Sequence, residues 1–270
     1  MGSRAQKTSF KELASFAQTL ADISGRVILP YFRKSTAVEN KGKDKTFDPV
    51  TKADRGAERA IAKALAARFP DHALFGEEYG STAGNSPYRW VIDPIDGTRA
   101  FIMGSPLWGT LIGLLEDNEP LLGVADHPFT AERFWSAEKA SFMRTGAAKP
   151  KRLTTRACAK LADAVITTTH PELFEDDLQR AALVAVKDGA RMSRYGGDCY
   201  NGCLLAAGFV DVWIEPNLKP YDIAALIPII ERAGGRVTTW QGTSAANGGN
   251  VLASGDPRLH QHLLKLIANL

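Results

Sequence analysis

Several broad classes of protein are excluded by what this chain has little of. Only three cysteines occur among its 270 residues, Cys158, Cys199 and Cys203, and no two form a C-x-x-C pair. Cys199 and Cys203 share one helical face by their i,i+4 spacing. However, His72, His127, His170, His260 and His262 are dispersed and complete no zinc set with them. No apolar run approaches the ~20 residues that cross a bilayer, and the opening "MGSRAQKTSF" lacks the apolar stretch of a secretory leader. An excess of one charge is also missing, since 33 basic and 30 acidic residues leave a net charge of +3. The short basic stretches "KGKDK" and "KPKR" read as solvated loop lysines, so neither nucleic acid nor membrane is expected as a partner. No internal repeat or disordered linker is visible. What remains is ordinary globular composition, 44% hydrophobic and 23% charged, long enough for a large core. The expectation is a soluble, reduced, cytoplasmic protein.

Apolar residues recur every three or four positions from Phe10 to about Arg33, which predicts an amphipathic helix. The polar stretch from Lys34 to Asp48 follows as a loop; its lysines and Gly42 fit either a lid near a ligand site or a plain surface loop. "TKAD" at Thr51 reads as a capping box opening a second helix that runs to Pro70. The middle turns to strands, "RWVID", "WGTLIGLLED", "EPLLGVADHP" and "ERFWSAE", with a hairpin at Asp117 and Asn118. After residue 150, strands "DAVITTT", "VDVWIEP" and "GNVLASG" alternate with helices at 171–189, 199–208 and 221–235 and a terminal helix. This order predicts an α+β layered sandwich, antiparallel-rich in residues 1–150 and mixed in 151–270, the two halves forming one catalytic unit.

The stretch "WVIDPIDGTRAFIMG" from Trp90 carries the chemistry. An apolar strand ends at Asp93, Pro94 bends the chain, and Asp96 can return toward Asp93. Two carboxylates so close repel unless a cation lies between them. Asp93, Asp96 and the Ile95 carbonyl are oxygen ligands of the kind that hard divalent cations take. Gly97 permits close backbone approach, and the N–H groups of Gly97, Thr98 and Arg99 could cradle a phosphate. Taken alone, the stretch fits an acidic turn equally well. Three other segments bear on the choice. "GEE" offers Glu77 and Glu78 as further carboxylates. Asp222 in "KPYDIAALIPII" could be a ligand or a favourable charge in a helix's first turn, and Asp54 could be no more than a capping acid.

Together, "DPVTKADRGAE", "GEE", "WVIDPIDGTRAF" and "WIEPNLKPYDIAALIPIIERAGG" resemble the motifs of the inositol monophosphatase superfamily, in order and across nearly the whole chain. That resemblance implies a layered αβαβα sandwich of the inositol monophosphatase and fructose-1,6-bisphosphatase type. It also implies a magnesium-dependent, lithium-sensitive phosphomonoesterase with two to three Mg2+ per site. Carried over, Glu77, Asp93 and the Ile95 carbonyl would bind one ion and Asp93, Asp96 and Asp222 a second, with Glu77 reaching a weaker third. Asp96, Gly97 and Thr98 would contact phosphate, and Thr98, supported by Asp54, would orient the attacking water. A small phosphorylated substrate and a homodimer are implied as well.

Within the superfamily, "DGTRAFIMGSPLWGTLIG", "RYGGDCYNGCLLAAG" and "EPNLKPYDIAALIPIIERAGG" look most like the histidinol-phosphate phosphatases. Histidinol phosphate carries an ammonium and an imidazole, which carboxylates would recognise. Asp198 and Glu215 are candidates, although Asp198 also reads as a helix N-cap and the position of Glu215 meets a sugar hydroxyl in the inositol enzymes. Arg99 is a third substrate candidate. An inositol-phosphate or broad sugar-phosphate phosphatase is the alternative from the same class, and a catalytically silent binding or regulatory homologue is that from another.

Overall fold

Helix α1 (Phe10–Ile28) buries the expected apolar stripe, Leu13, Ala17, Leu20 and Ala21, and its N-cap Ser9 accepts the Glu12 N–H. The computed structural model describes residues 8–34, 38–40 and 49–270. The helix is shorter than expected because Pro30 has no N–H to continue the ladder, and Leu29–Tyr31 tighten into a 3-10 turn. The short strands β1 (Val38–Asn40) and β2 (Pro49–Thr51) pair antiparallel, so part of the expected loop is a strand pair. The rest of the lid expectation, residues 35–37 and 41–48, lies outside the described residues. Helix α2 (Lys52–Arg68) opens on the anticipated capping box, with Thr51 at the N-cap and Asp54 bonding back to its N–H.

Next in the chain come β3 (Ala73–Gly76), β4 (Gly80–Thr82), β5 (Tyr88–Asp96), α3 (Thr98–Met103), β6 (Gly109–Glu116) and β7 (Glu119–His127). With β8 (Glu132–Ser136), β9 (Ser141–Thr145) and β10 (Lys151–Arg152), the strands from β3 onward form an eight-stranded sheet ordered β10-β9-β8-β7-β6-β5-β3-β4. Its pairings are antiparallel except β3 with β5. The β6–β7 hairpin turns at Asp117 and Asn118, both at positive φ.

Residues beyond 160 give β11 (Val165–Thr168), α4 (Asp177–Asp188), β12 (Met192–Tyr195), α5 (Cys199–Ala206) and β13 (Val212–Leu218). The helix expected over 221–235 is split into α6 (Pro220–Ile223) and α7 (Leu226–Arg232), because Pro228 removes one ladder N–H. Strands β14 (Arg236–Thr239) and β15 (Gly249–Ser254) and helix α8 (Pro257–Ala268) complete the chain. The second sheet, β12-β11-β13-β15-β14, is mixed, as anticipated.

Strand alternation builds five layers, an αβαβα sandwich. Trp90, Ile92, Ile112, Leu114 and Val124 pack under α1 and α2, while Leu111 and Ala125 face the opposite way into a core shared with α5 and α7. Trp213 joins that central core, whereas Val212 and Ile214 face outward beneath α4 and α8. The central helices lie very close to the larger sheet: a Cβ at Gly123 of β7 would sit 1.8 Å from the Ala225 carbonyl oxygen. Among the described residues, no helix is long and apolar enough to cross a membrane.

Candidate active site

Asp93 follows Val91 by two residues on β5, so it shares the sheet face turned to the central helices. Val91 packs there against Ala224 and Tyr221, at the α6 end of the central layer. Residues three apart on a regular strand point to opposite faces, yet Asp96 joins Asp93. The register explains this: Asp93 pairs with Leu111 and Asp96 with Gly109, so β5 carries one extra residue. That bulge re-aims Asp96, and the buried Thr110 hydroxyl holds it by donating to the Pro94 carbonyl at 2.7 Å. Gly97 follows at φ 83, a left-handed conformation that costs a Cβ-bearing residue strain. Asp222 arrives from the first turn of α6, its carboxylate accepting the Lys219 N–H at 2.6 Å. Glu77 directly follows β3, with its N–H bonded to the Ile92 carbonyl at 3.2 Å.

One carboxylate oxygen from each of Asp93, Asp96 and Asp222 lies within 4.8 Å of the others. Burial pushes the Asp93 carboxyl well above its ordinary range, and repulsion from Glu77, Asp96 and Asp222 adds to the shift. Asp96 is raised in the same sense by burial and then by Asp198 and Asp222. Asp222 rises to about 7, again mainly by burial, against the lowering effect of its Lys219 hydrogen bond. Asp93 Oδ1 is buried with no hydrogen-bond partner among the described residues. An unsatisfied oxygen among carboxylates that cannot all ionise together fits an oxygen-liganded divalent cation. These residues therefore suit the metal that the sequence motifs imply.

The cluster opens into a cavity of about 840 Å³. Glu77, Asp93, Ile95, Asp96 and Asp222 line it together with Gly97, Thr98, Arg99 and Asp198. Two expected site residues stand behind this wall. Asp54 is fully buried, accepts both the N–H and the hydroxyl of Thr51, and is pushed up to about 6 mainly by burial. Its Oδ1 finds no hydrogen-bond partner among the described residues, and the Thr98 hydroxyl donates instead to the Ile95 carbonyl at 3.0 Å. Glu215 is buried and accepts from the Thr168 hydroxyl, the Thr169 N–H and the Trp213 indole. Burial pushes it up to about 7 in spite of those donors.

The capping role expected of Asp198 is not observed. Its backbone takes φ 44, ψ −130, its side chain makes no cap bond, and the Cys199 N–H goes to Asp96 at 2.6 Å. Glu78 turns away from the metal cluster, its carboxylate 4.0 Å from Arg55. Glu58 was not anticipated. This buried acid accepts the N–H groups of Glu78 and Tyr79 at 2.7 and 2.9 Å, which fixes the turn carrying Glu77. Its signal was an acid one turn after Asp54, on the same face of α2 as buried Ile61 and Leu65. Glu175, Asn217, Lys219 and Asn247 also line the cavity without having been foreseen, because segments remote in sequence bring them there.

Residues 9–270 match the inositol monophosphatase family. The chain is 40% identical over 269 residues to the bifunctional phosphatase IMPL2, chloroplastic, of Arabidopsis thaliana, covering 96% of this chain and 75% of that one. It is 35% identical over 254 residues to the histidinol-phosphatase of Chlorobaculum parvum, 94% of this chain and 95% of the other. An inositol monophosphatase structure from Zymomonas mobilis superposes with a TM-score of 0.84 at 36% identity, over 97% of this chain and 100% of that one.

Proposed function

The chain belongs to the inositol monophosphatase family and is a phosphoric monoester hydrolase, and from that premise we propose that it cleaves L-histidinol phosphate to L-histidinol and phosphate. The acidic triad within 4.8 Å, with its unsatisfied Asp93 oxygen, carries the catalytic part of this reading. The likeness to a histidinol-phosphatase and the carboxylate of Asp198 in the cavity support the substrate. Glu77, Asp93 and the Ile95 carbonyl would hold one Mg2+, and Asp93, Asp96 and Asp222 a second, with Glu77 reaching a third. When bound, the ions neutralise phosphate charge and acidify water.

The chain's own groups do the orienting. Because the Thr98 hydroxyl spends its proton on the Ile95 carbonyl, its oxygen is left to accept a hydrogen bond from the attacking water. Asp54, buried behind the cavity wall, would support Thr98 in that role. The N–H groups of Gly97 and Thr98 face the phosphate. Arg99 and Asp198 serve the rest of the substrate, and Glu215 firms the wall behind Asp222. Residues 1–150 supply Asp93 and Asp96 and residues 151–270 supply Asp222, so the two halves act as one catalytic unit. A homodimer in the cytoplasm belongs to the same reading.

Hydrolysis of histidinol phosphate and inositol 1-phosphate by the magnesium-loaded enzyme tests the substrate. A higher kcat/KM for histidinol phosphate is expected, and a large preference for inositol 1-phosphate would remove that assignment. The 36% identity to the Zymomonas mobilis inositol monophosphatase keeps the latter as the second reading. A silent homologue is disfavoured because every acid of the metal cluster is in place.

A further inference from the structure

The cavity has an outer wall that the catalytic assignment does not use. It is formed by Glu175, from the segment before α4, and by Asn217, on β13. Asn217 sits at φ 57 in a bulge where the β13–β15 register shifts between Glu215 and Leu218, so its side chain is re-aimed out of the strand's alternation.

A single buried amide ties these two positions together. Gln179 Oε1 accepts the Glu175 N–H at 2.7 Å, while its Nε2 donates to Asn217 at 3.1 Å and Asn250 at 3.2 Å. Gln179 is only 4% exposed. The other side of the Glu175 peptide is held too, since Arg180 donates to its carbonyl at 2.6 Å. The backbone of Glu175 is thus clamped from both sides, yet its carboxylate makes no hydrogen bond or ion pair with any described residue. A fixed main chain presenting an uncommitted acid to a cavity is a built feature, because α4 would be capped by Asp176 and Gln179 without it.

Among the described residues, the cations lining the cavity are Arg99, beside the Thr98 end of the site, and Lys219, whose N–H bonds to Asp222. Beside Asp198, Glu175 is a second acid on the cavity wall, with a fixed backbone and a carboxylate placed to face a positive group on the part of the substrate remote from phosphate.

We propose that Glu175 is a specificity-determining residue that accepts a hydrogen bond from a cationic nitrogen of the substrate, with Gln179 as its positioning residue. This inference rests on the reading of the site as a phosphomonoesterase for a cationic ester and adds the residue that reads the charge. It makes the enzyme selective for phosphomonoesters bearing an ammonium or imidazolium over neutral polyol phosphates.

Steady-state kinetics of the magnesium-loaded enzyme decide it, using wild type, Glu175→Gln and Gln179→Met. Histidinol phosphate is compared with inositol 1-phosphate. In parallel, phosphoethanolamine is compared with glycerol 2-phosphate as inhibitors of p-nitrophenyl phosphate hydrolysis. Glu175→Gln is expected to lower kcat/KM for histidinol phosphate by about tenfold, mainly through KM, as loss of one charge-assisted hydrogen bond predicts. It should weaken phosphoethanolamine inhibition to a similar degree and leave both neutral esters unchanged. Gln179→Met should reproduce the KM effect on the cationic esters with kcat retained. Equal losses on cationic and neutral esters, or no loss on either, overturn the proposal. A wild-type preference for inositol 1-phosphate would sink the substrate assignment alone; the inhibitor pair then decides on Glu175, and a wild type indifferent to the ammonium in that pair overturns it.

Discussion

At Asp93, burial and three neighbouring carboxylates act in the same direction, each disfavouring the ionised form. The residue is therefore costly to the metal-free protein and becomes favourable only when a cation shares the site. Asp93→Asn should separate these two effects. The variant is expected to lose more kcat/KM than the roughly 100-fold typical of outer-shell ligand partners. Its metal-free form should melt higher than wild type at pH 8, since the repulsive charge is gone. Calorimetric melting with and without Mg2+, alongside turnover, checks both; normal turnover in the variant would dismiss the metal cluster as the catalytic centre. At this scale the sequence was informative about residue types. Asp93 and Asp96 stood out as crowded carboxylates at the end of an apolar strand, whereas Asp222 read equally well as a first-turn helix acid and was singled out by the family resemblance. Glu175 and Asn217 did not stand out, since nothing in their own neighbourhoods marks them and only a buried glutamine relates them.

At the level of elements, the site depends on two departures from regularity. The extra residue in β5 turns Asp96 to the same face as Asp93. The near-contact of α6 and α7 with β7 brings Asp222 down onto that face. Gly123 makes the second possible, and Gly123→Ala would drive a methyl into the Ala225 carbonyl, where no side chain can swing away. Such overpacking against backbone is expected to cost about 3 kcal/mol. Because the displaced segment carries Asp222, Mg2+ affinity should fall as well. Urea unfolding and isothermal titration measure the two, and an unchanged affinity in a folded variant would show that Asp222 is positioned by other contacts. The long helices and central strands were legible from periodicity, as was the capping box at Thr51. The short strands β4, β10 and β12 were not, because edge pairings of two to four residues leave no period to read. The break between α6 and α7 follows from Pro228, a local signal that the apolar periodicity of residues 221–235 masked.

Across the whole molecule, two sets of buried titratable groups oppose each other. His127 and His260 are each lowered to about 4, chiefly by burial. Folded histidines with depressed pKa values bind fewer protons than unfolded ones, so their contribution is full above about pH 6.5 and is lost as pH falls toward 4. Asp54 and Asp198, raised to about 6, and Glu215 and Asp222, raised to about 7, work the other way. They bind more protons when folded, so stability falls as pH climbs from about 4 to 7. With Asp93 and Asp96 shifted in the same sense, the acids outnumber the histidines in the metal-free protein. That form should melt higher at pH 5.5 than at pH 8. Saturating Mg2+ binds the ionised carboxylates and should reverse the order. Melting curves at both pH values, with and without the ion, test this, and the same order in both states would contradict the ligand assignment. The sequence by itself determined the layered α+β class and the family, because apolar periodicity and the motifs are local and survive without a fold, and the resemblance to that family implied the acids of the site. The tertiary structure alone decided that Asp96 turns to join Asp93, that Asp54 and Glu215 stand behind the wall, and that Glu175 faces the cavity. Each of those placements depends on a bulge register, a burial depth or a hydrogen bond between segments far apart in the chain, and such relations exist only once the layers have packed.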